Sequence, residues 1–253
     1  MMRTFALSQL GASHLLTSKP CQDASLSVKT PGYAMAIVAD GHGGEAYFRS
    51  DRGSLMAVEA ARDVLTRFLI STDNLSAFPA DHNWQRQLAA AILTDWQQRI
   101  EADYQHDPFD TDSRWQKAYG TTLIAVVRTQ KYLLGLHIGD GRCVAIDAQG
   151  TAKQPIPWDK RCFLNRTTSM CDVNALNEFR FCILHKHLPK AVFVGTDGVE
   201  DCFADNRGLY DFYKVVLQNL TADFEQAVSD LHDYLPQMSQ KGSKDDISIA
   251  GII

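Results

Sequence analysis

The sequence lacks several features that define common classes of protein. It has no run of five basic residues and its formal net charge is −5, which argues against non-specific binding to DNA or RNA. The most apolar run, residues 34–39, is far too short to cross a membrane. A Gly-x-Ser-x-Gly elbow, a Gly-Lys-Ser/Thr phosphate loop and a His-Glu-x-x-His motif are also missing. We therefore expect a protein that binds neither nucleic acid nor membrane and belongs to none of those enzyme classes.

The six cysteines are scattered along the chain and include no Cys-x-x-Cys pair. This pattern predicts reduced, partly buried thiols rather than disulfides or zinc ligands. The first 16 residues contain no continuous apolar stretch and do not resemble a secretory signal. We therefore expect a cytoplasmic location.

The length of 253 residues is near the upper end of what one hydrophobic core supports. No Pro/Ser/Gly-rich linker divides the sequence, and its 45% apolar content is that of an ordinary globular protein. We expect residues 1–253 to form a single domain and the protein to be a monomer.

Hydrophobic periodicity predicts blocks of strands and blocks of helices. Strands are predicted at residues 24–28, 33–39, 121–127, 132–138, 143–146, 179–184, 191–195 and 247–253. Helices are predicted at residues 55–68, 84–100, 209–220 and 224–235. Residues 128–131 are predicted to form a hairpin turn, and the irregular residues 151–177 a long surface loop. This order favours an α+β layered sandwich over alternating β-α units.

Aspartates follow several of the predicted strands. Asp40, Asp140 and Asp197 each precede a glycine just after an apolar strand, and Asp245-Asp246 leads into the last one. A single Asp-Gly pair is usually an ordinary turn, but three at strand ends are harder to explain in that way. If these strands pair, the carboxylates can meet at one rim of the sandwich.

Carboxylates that meet in this way repel one another unless they are protonated or neutralised by a cation. Oxygen ligands without cysteine or several histidines favour Mg²⁺ or Mn²⁺, and two such ions form a clamp that activates water for attack on a phosphoryl group. The carbonyl of Gly41 is a further possible ligand, because glycine lets the backbone pass close to the ions. His42 stands two residues after Asp40, where either a general acid or a structural histidine fits.

Six short segments together resemble the type 2C metal-dependent protein serine/threonine phosphatases, in particular a bacterial branch. They span residues 21–248 in the order of that family. These segments are Cys21-Gln22-Asp23-Ala24, Val38-Ala39-Asp40-Gly41-His42-Gly43-Gly44, Gly120-Thr121-Thr122-Leu123, Ile138-Gly139-Asp140-Gly141-Arg142, Gly195-Thr196-Asp197-Gly198-Val199 and Lys244-Asp245-Asp246-Ile247-Ser248.

The resemblance implies a four-layer α-β-β-α sandwich of two antiparallel sheets flanked by helices. It also implies hydrolysis of phosphoserine and phosphothreonine in a phosphorylated protein substrate, by a water that two Mn²⁺ or Mg²⁺ ions activate. Residues 151–177 fall where the family has a variable flap beside the active site. The metal ligands that the resemblance implies are Asp40 as the bridging ligand, the carbonyl of Gly41, Asp197 and Asp245 at the first ion, Asp23 near the second ion, and Asp140 with Asp197 for a weaker third ion.

The sequence departs from the family in one place. Many members have an arginine several residues before the first acid, where it grips the substrate phosphate, whereas residues 13–20 contain none. The alternatives are His14 and Lys19, or Arg49 and Arg52 just past the glycine turn, although only arginine offers a planar, two-pronged contact. The missing arginine leaves a second hypothesis open: a weak or inactive protein of this fold that binds a phosphorylated partner.

Overall fold

The computed structural model describes residues 2–71, 83–112, 114–162 and 166–253. These residues form two five-stranded antiparallel sheets, flanked by helices. In chain order, the elements are β1 (Thr4–Gln9), α1 (Ala12–Thr17), β2 (Asp23–Lys29), β3 (Tyr33–Asp40), α2 (Ser50–Ser71), α3 (Asn83–His106), β4 (Leu123–Thr129), β5 (Leu133–Ile138), β6 (Arg142–Ile146), β7 (Ala152–Lys153), α4 (Ala175–Glu178), β8 (Arg180–Leu184), β9 (Ala191–Gly195), α5 (Asp197–Glu200), α6 (Asn206–Ala222), α7 (Phe224–Lys241) and β10 (Ile247–Ile252). Single 3₁₀ turns occur at Glu45–Tyr47 and Trp115–Tyr119.

The two sheets pack face to face. The first sheet has the strand order β2-β3-β4-β5-β8, and the second has the order β1-β10-β9-β6-β7. Side chains of a strand point alternately to its two faces, and β3 is buried on both of them. Met35 and Ile37 pack in the cluster that includes α2 and α3, whereas Ala36 and Val38 pack against the second sheet. The short apolar run of β3 is therefore the signature of a central strand.

Helices cover the outer face of each sheet. α2 and α3 pack on the first sheet, and the four-residue repeat of α3 (Trp84, Leu88, Ile92, Trp96, Ile100) is buried. α6 and α7 pack on the second sheet through the cluster that contains the apolar side chains of β9 and β10. The result is the predicted α-β-β-α sandwich, and the fold class is confirmed.

The structure adds elements that periodicity did not predict. β1 pairs with β10 along its whole length, although its TFALSQ sequence mixes apolar and polar residues as an edge strand does. The predicted loop 151–177 contains the short strand β7 and the start of α4. Asp197-Gly198 follows a strand, as predicted, and forms the first turn of the short helix α5.

Candidate metal centre

Loops and strand ends from both sheets meet in one acidic cleft of about 570 Å³. Asp23 begins β2 and Asp40 ends β3 in the first sheet, whereas Asp197 follows β9 and Asp245 precedes β10 in the second. The residues that line the cleft are Ser13, His14, Gln22, Asp23, Asp40, Gly41, His42, Gly43, Tyr47, Asp140, Arg166, Thr167, Ser169, Asp172, Asp197, Asp245 and Asp246. All six predicted ligand positions are therefore part of one cavity.

Three of these carboxylates form a tight group. Asp40, Asp140 and Asp197 each offer an oxygen within 4.8 Å of the others. Asp245 lines the same cleft but is not part of this group. The resemblance placed Asp245 with Asp40 and Asp197 at the first ion, whereas in the structure Asp140 takes that place in the group. The group brings together the ends of β3, β5 and β9, which are far apart in the chain.

Burial and mutual repulsion make these carboxylates hard to ionise. Loss of hydration raises the pKa of Asp23 and Asp40 well above the usual value, and the charges of neighbouring aspartates raise it further. Burial also raises the pKa of Asp140, and it raises the pKa of Asp197 to about 7. A cation among the carboxylates would remove this repulsion, and a site of hard oxygen ligands fits Mg²⁺ or Mn²⁺.

A hydroxyl links the two sheets beside the acidic group. Thr196 donates a hydrogen bond to Asp23 Oδ2 (2.7 Å), and its own oxygen accepts one from the backbone of Ser248 (3.0 Å). On the other side, the backbone N–H of Asp40 donates to Thr122 Oγ1 (3.0 Å), while Thr121 Oγ1 donates to the Asp40 carbonyl (2.9 Å). These bonds fix both strand ends from which the carboxylates project.

Two glycines allow the backbone segments of the site to approach each other. A Cβ atom on Gly41 would collide with the backbone carbonyls of Gln22 and Ser50. A Cβ atom on Gly198 would collide with the carbonyl of Asp246, so only glycine lets α5 approach the segment before β10. The glycine after Asp197 therefore reflects this approach rather than a hairpin turn.

Gln22 presents a side-chain oxygen to the cleft that is unpaired within the part of the chain that the structure describes. Its amide nitrogen donates to the carbonyl of His42 (3.2 Å) and to Ser50 Oγ. Its Oε1 atom is buried and has no hydrogen-bond partner among the residues that the structure describes. An unpaired buried oxygen is costly, and this one lies in the cleft lining. It fits a site that receives a hydrated cation.

His42 lies in the cleft immediately after the glycine. Its backbone N–H donates to the carbonyl of Gly120 (3.0 Å), and its ring makes an edge-on contact with Tyr47, with centroids 5.1 Å apart. Burial lowers the pKa of His42 to about 4, against a smaller opposing effect of Asp172. The imidazole is therefore neutral at neutral pH in the metal-free protein.

The structure separates the predicted phosphate-binding residues. His14 lines the cleft, whereas Lys19 is exposed and is not part of the described lining. Arg52 is also outside it and bonds to Asp103 (3.0 Å). Arg49, the fourth alternative, is also outside the lining, and its side chain is buried and paired with Asp103 and Asp107.

Arg49 forms part of a polar cluster under α3. Its guanidinium donates to Asp107 (2.6 Å) and Tyr119 (2.8 Å), and lies 4.6 Å from the centre of the Phe109 ring. Asp103 completes the cluster by accepting a bond from Tyr119 (2.7 Å). Arginines in such pairs are held by the fold rather than by a ligand.

Asp246 has a structural role that is visible in its contacts. It is buried and accepts hydrogen bonds from the backbone N–H groups of Gly11 and Gln22, both at 2.6 Å. His14 Nδ1 lies 3.0 Å from both of its oxygens. Asp246 thus ties the segment after β1 and the segment before β2 to the segment before β10.

Several lining residues were not predicted from the sequence. Arg166, Thr167, Ser169 and Asp172 come from the irregular segment 151–177, which places part of that segment beside the carboxylates, as the flap hypothesis requires. These positions have no hydrophobic period and follow no strand, so the sequence pattern did not single them out. The family resemblance located the segment but not its residues.

Comparisons with known proteins agree with this arrangement. The family described as Protein phosphatase 2C matches residues 10–236, which is most of the chain. The chain therefore belongs to the protein phosphatase 2C family. No curated protein matches it significantly.

Solved structures of bacterial phosphatases share the fold over nearly their whole length. PppA, a key regulatory component of T6SS in Pseudomonas aeruginosa, is 21% identical with a TM-score of 0.62, and the match covers 99% of this chain and 96% of PppA. The S. agalactiae serine/threonine phosphatase is 17% identical with a TM-score of 0.61, covering 100% and 99%. The catalytic domain of PstP, in complex with two manganese ions, is 17% identical with a TM-score of 0.58, covering 99% and 97%. At this identity the likeness establishes the fold.

Within the residues that the structure describes, no helix is both long and apolar enough to span a membrane.

Proposed function

We propose that this protein is a phosphomonoesterase that uses two Mn²⁺ or Mg²⁺ ions, with a weaker third, to hydrolyse phosphoserine and phosphothreonine in proteins. The observation that carries the proposal is the group formed by Asp40, Asp140 and Asp197, whose oxygens lie within 4.8 Å of one another. Carboxylates held this close, with raised pKa values, are arranged for cations rather than for stability. The family membership supports the same reaction class.

The residues that would hold the ions are Asp40, the Gly41 carbonyl, Asp197 and Asp245, with Asp23 and Asp140 beside them. Bound there, the ions would supply the Lewis acid that polarises the phosphate and lowers the pKa of the attacking water. Asp23 is held by Thr196, so its orientation does not depend on the ion. The buried backbone contacts of Asp40 likewise fix its carboxylate before any ligand arrives.

His42 is the residue placed to act on the leaving serine or threonine oxygen. Because its pKa is lowered to about 4, it begins as a neutral imidazole. A phosphate dianion beside the ring would favour its protonated form, and the general-acid role depends on that rise in pKa. The His42→Gln substitution should therefore slow phosphoserine hydrolysis more than hydrolysis of p-nitrophenyl phosphate, whose leaving group needs no proton.

Phosphate release from a panel of phosphoserine and phosphothreonine peptides tests the proposal. We expect release with Mn²⁺, none with a chelator, and a loss of at least about 100-fold in Asp197→Asn. The matched control is Asp211→Asn, an exposed aspartate of α6 outside the cleft, which should keep wild-type activity. A wild-type protein that binds Mn²⁺ but releases no phosphate from any ester would overturn the proposal.

A second candidate is a protein of the same fold that binds a phosphorylated partner without hydrolysing it. The absence of arginine from residues 13–20 favours it. The two candidates differ in one measurement: a binding protein would retain the phosphopeptide with Mn²⁺ present, whereas the enzyme would convert it.

The partner, oligomeric state and location are part of the same proposal. We propose a phosphorylated protein substrate, with no role for nucleic acid or membrane, and a monomeric enzyme. A cytoplasmic location is supported by the six cysteines, which are all unpaired, because thiols stay reduced in that compartment. Light scattering of the purified protein and fractionation of cells test these two statements separately.

A further inference from the structure

The cleft is lined by far more acidic than basic side chains. Seven aspartates line it, whereas its cationic or titratable basic side chains in the described part of the chain are His14, His42 and Arg166. Two divalent ions supply four positive charges, whereas seven ionised carboxylates would carry seven negative charges. A phosphate dianion that enters such a cleft needs a further cation, because like charges repel strongly where water is scarce.

The other basic residues near the site are already committed. Arg49 pairs with Asp107, and Arg52 pairs with Asp103, so neither guanidinium is available. His14 lines the cleft, but its Nδ1 atom lies 3.0 Å from Asp246, whose carboxylate offsets any positive charge on the ring. These contacts leave one fully charged cation in the lining.

That cation is Arg166. Its side chain is exposed, lines the cleft, and has no hydrogen-bond or ion-pair partner among the described residues. By contrast Arg161, in the same segment, pairs with Asp159 (2.9 Å) and Glu178. An arginine that lines the same cleft as seven aspartates, and pairs with no carboxylate in the described part of the chain, is in a position to bind an anion that arrives with the substrate.

We propose that Arg166 binds the phosphate of the substrate and takes the place of the arginine missing from residues 13–20. This inference depends on the proposed function for the identity of the ligand. The planar guanidinium can donate two parallel hydrogen bonds to one phosphate, which lysine and histidine cannot do. Arg166 is a binding residue: it forms no covalent bond and moves no proton.

Calorimetric titration of inorganic phosphate into the Mn²⁺-loaded protein tests the inference without relying on turnover. We expect Arg166→Ala to weaken phosphate binding roughly 10- to 100-fold, the usual effect of losing charge-assisted hydrogen bonds. Arg166→Lys should restore only part of the affinity. The control is Arg207→Ala, which removes the same charge from α6, where Arg207 is 89% exposed and is not part of the cleft lining, and should leave binding unchanged.

Turnover separates this inference from the proposed function. If the wild type hydrolyses p-nitrophenyl phosphate, Arg166→Ala should raise KM by a factor similar to its effect on phosphate affinity, with a smaller change in kcat. If the wild type hydrolyses nothing, the proposed function fails, but an Arg166-dependent affinity for phosphate still supports the inference. Equal phosphate affinity in the wild type and Arg166→Ala overturns the inference, whatever the activity.

Discussion

Asp23 and Asp40 lie directly opposite each other in the antiparallel pair of β2 and β3. Like charges at paired positions destabilise a sheet, and here both carboxyls are also deprived of water. Sequences rarely keep such a pair for the sake of the fold. The arrangement stores unfavourable electrostatic energy in the metal-free protein, which a bound cation would release.

The stability of the metal-free protein should fall as the pH rises. Asp197 has a pKa of about 7 in the folded protein, against 3.8 for an ordinary aspartate, so the folded state keeps a proton that the unfolded state loses. The unfolding free energy therefore decreases as the pH rises from about 4 to about 7, and Asp197 contributes little further change above that range. The Tm measured in a chelator should be lower at pH 8 than at pH 5, and Mn²⁺ should raise it more at pH 8.

A melting temperature in chelator that rises steadily over the same range would contradict the crowded, protonated cluster. Because each ion binds the folded state, the rise in Tm that Mn²⁺ causes should also grow with the Mn²⁺ concentration.

Replacing one of the facing carboxylates should stabilise the metal-free fold and abolish activity. Asp40→Asn keeps the shape but removes a carboxyl group whose ionisation the fold disfavours, so we expect a gain of about 1 kcal/mol in unfolding free energy at neutral pH. The comparison is Asp103→Asn, which weakens the bonds to Tyr119 and Arg52 and should cost about 1–3 kcal/mol. Urea denaturation in chelator measures both. If Asp40→Asn destabilised the chain as much as Asp103→Asn, the carboxylate of Asp40 would be stabilising and the account wrong.

Arg49 should matter for stability and not for phosphate affinity. Its side chain is 8% exposed, and Arg49→Ala leaves Asp103 and Tyr119 without a partner that they share. We expect a loss of about 3 kcal/mol in unfolding free energy, at the low end for breaking a buried pair, because Asp107 is half exposed. Calorimetric phosphate affinity of the folded variant should be unchanged. A variant of normal stability with weakened phosphate binding would place Arg49, and not Arg166, at the substrate.

Asp246 should act through the backbone that it holds. Asp246→Ala would leave the buried N–H groups of Gly11 and Gln22 without an acceptor, which should cost roughly 2–4 kcal/mol. Asp246→Asn keeps one acceptor oxygen and should cost less. The control is Asp233→Ala on α7, where the carboxylate is 77% exposed and its loss should be neutral. Chemical denaturation in chelator gives the three values, and equal stability of all variants would remove the structural role of Asp246.

Much of the fold could be predicted because buried positions recur at regular spacings in the sequence, and apolar residues occupy them. The apolar run of β3 and the four-residue repeat of α3 predict these two elements directly, because the apolar residues of each pattern are the ones that face a core. β1 could not be predicted in this way, because only Phe5 of this edge strand is buried and its other residues are half-buried, so the strand alternates only weakly. α1, with six residues and none of them buried, has no apolar stripe to detect.

The predicted aspartates of the candidate site lie at strand ends, whereas the lining residues from segment 151–177 do not and were not singled out. Asp40, Asp140 and Asp197 are marked by the glycines that let the backbone approach, and those glycines are visible in the sequence. Arg49 pairs with Asp103 and Asp107, which are more than 50 positions further along the chain. This pairing depends on how α2 and α3 pack, which no local sequence pattern encodes. Arg166 lies in an irregular segment, and only the folded chain shows that it faces the cleft.

The most direct test of the central claim is the anomalous diffraction of crystals grown with Mn²⁺. The account predicts manganese peaks in the acidic cleft, at positions contacted by the carboxylates of Asp40 and Asp197. A well-ordered crystal structure in excess Mn²⁺ that shows these side chains as described, with no manganese between them, would contradict it.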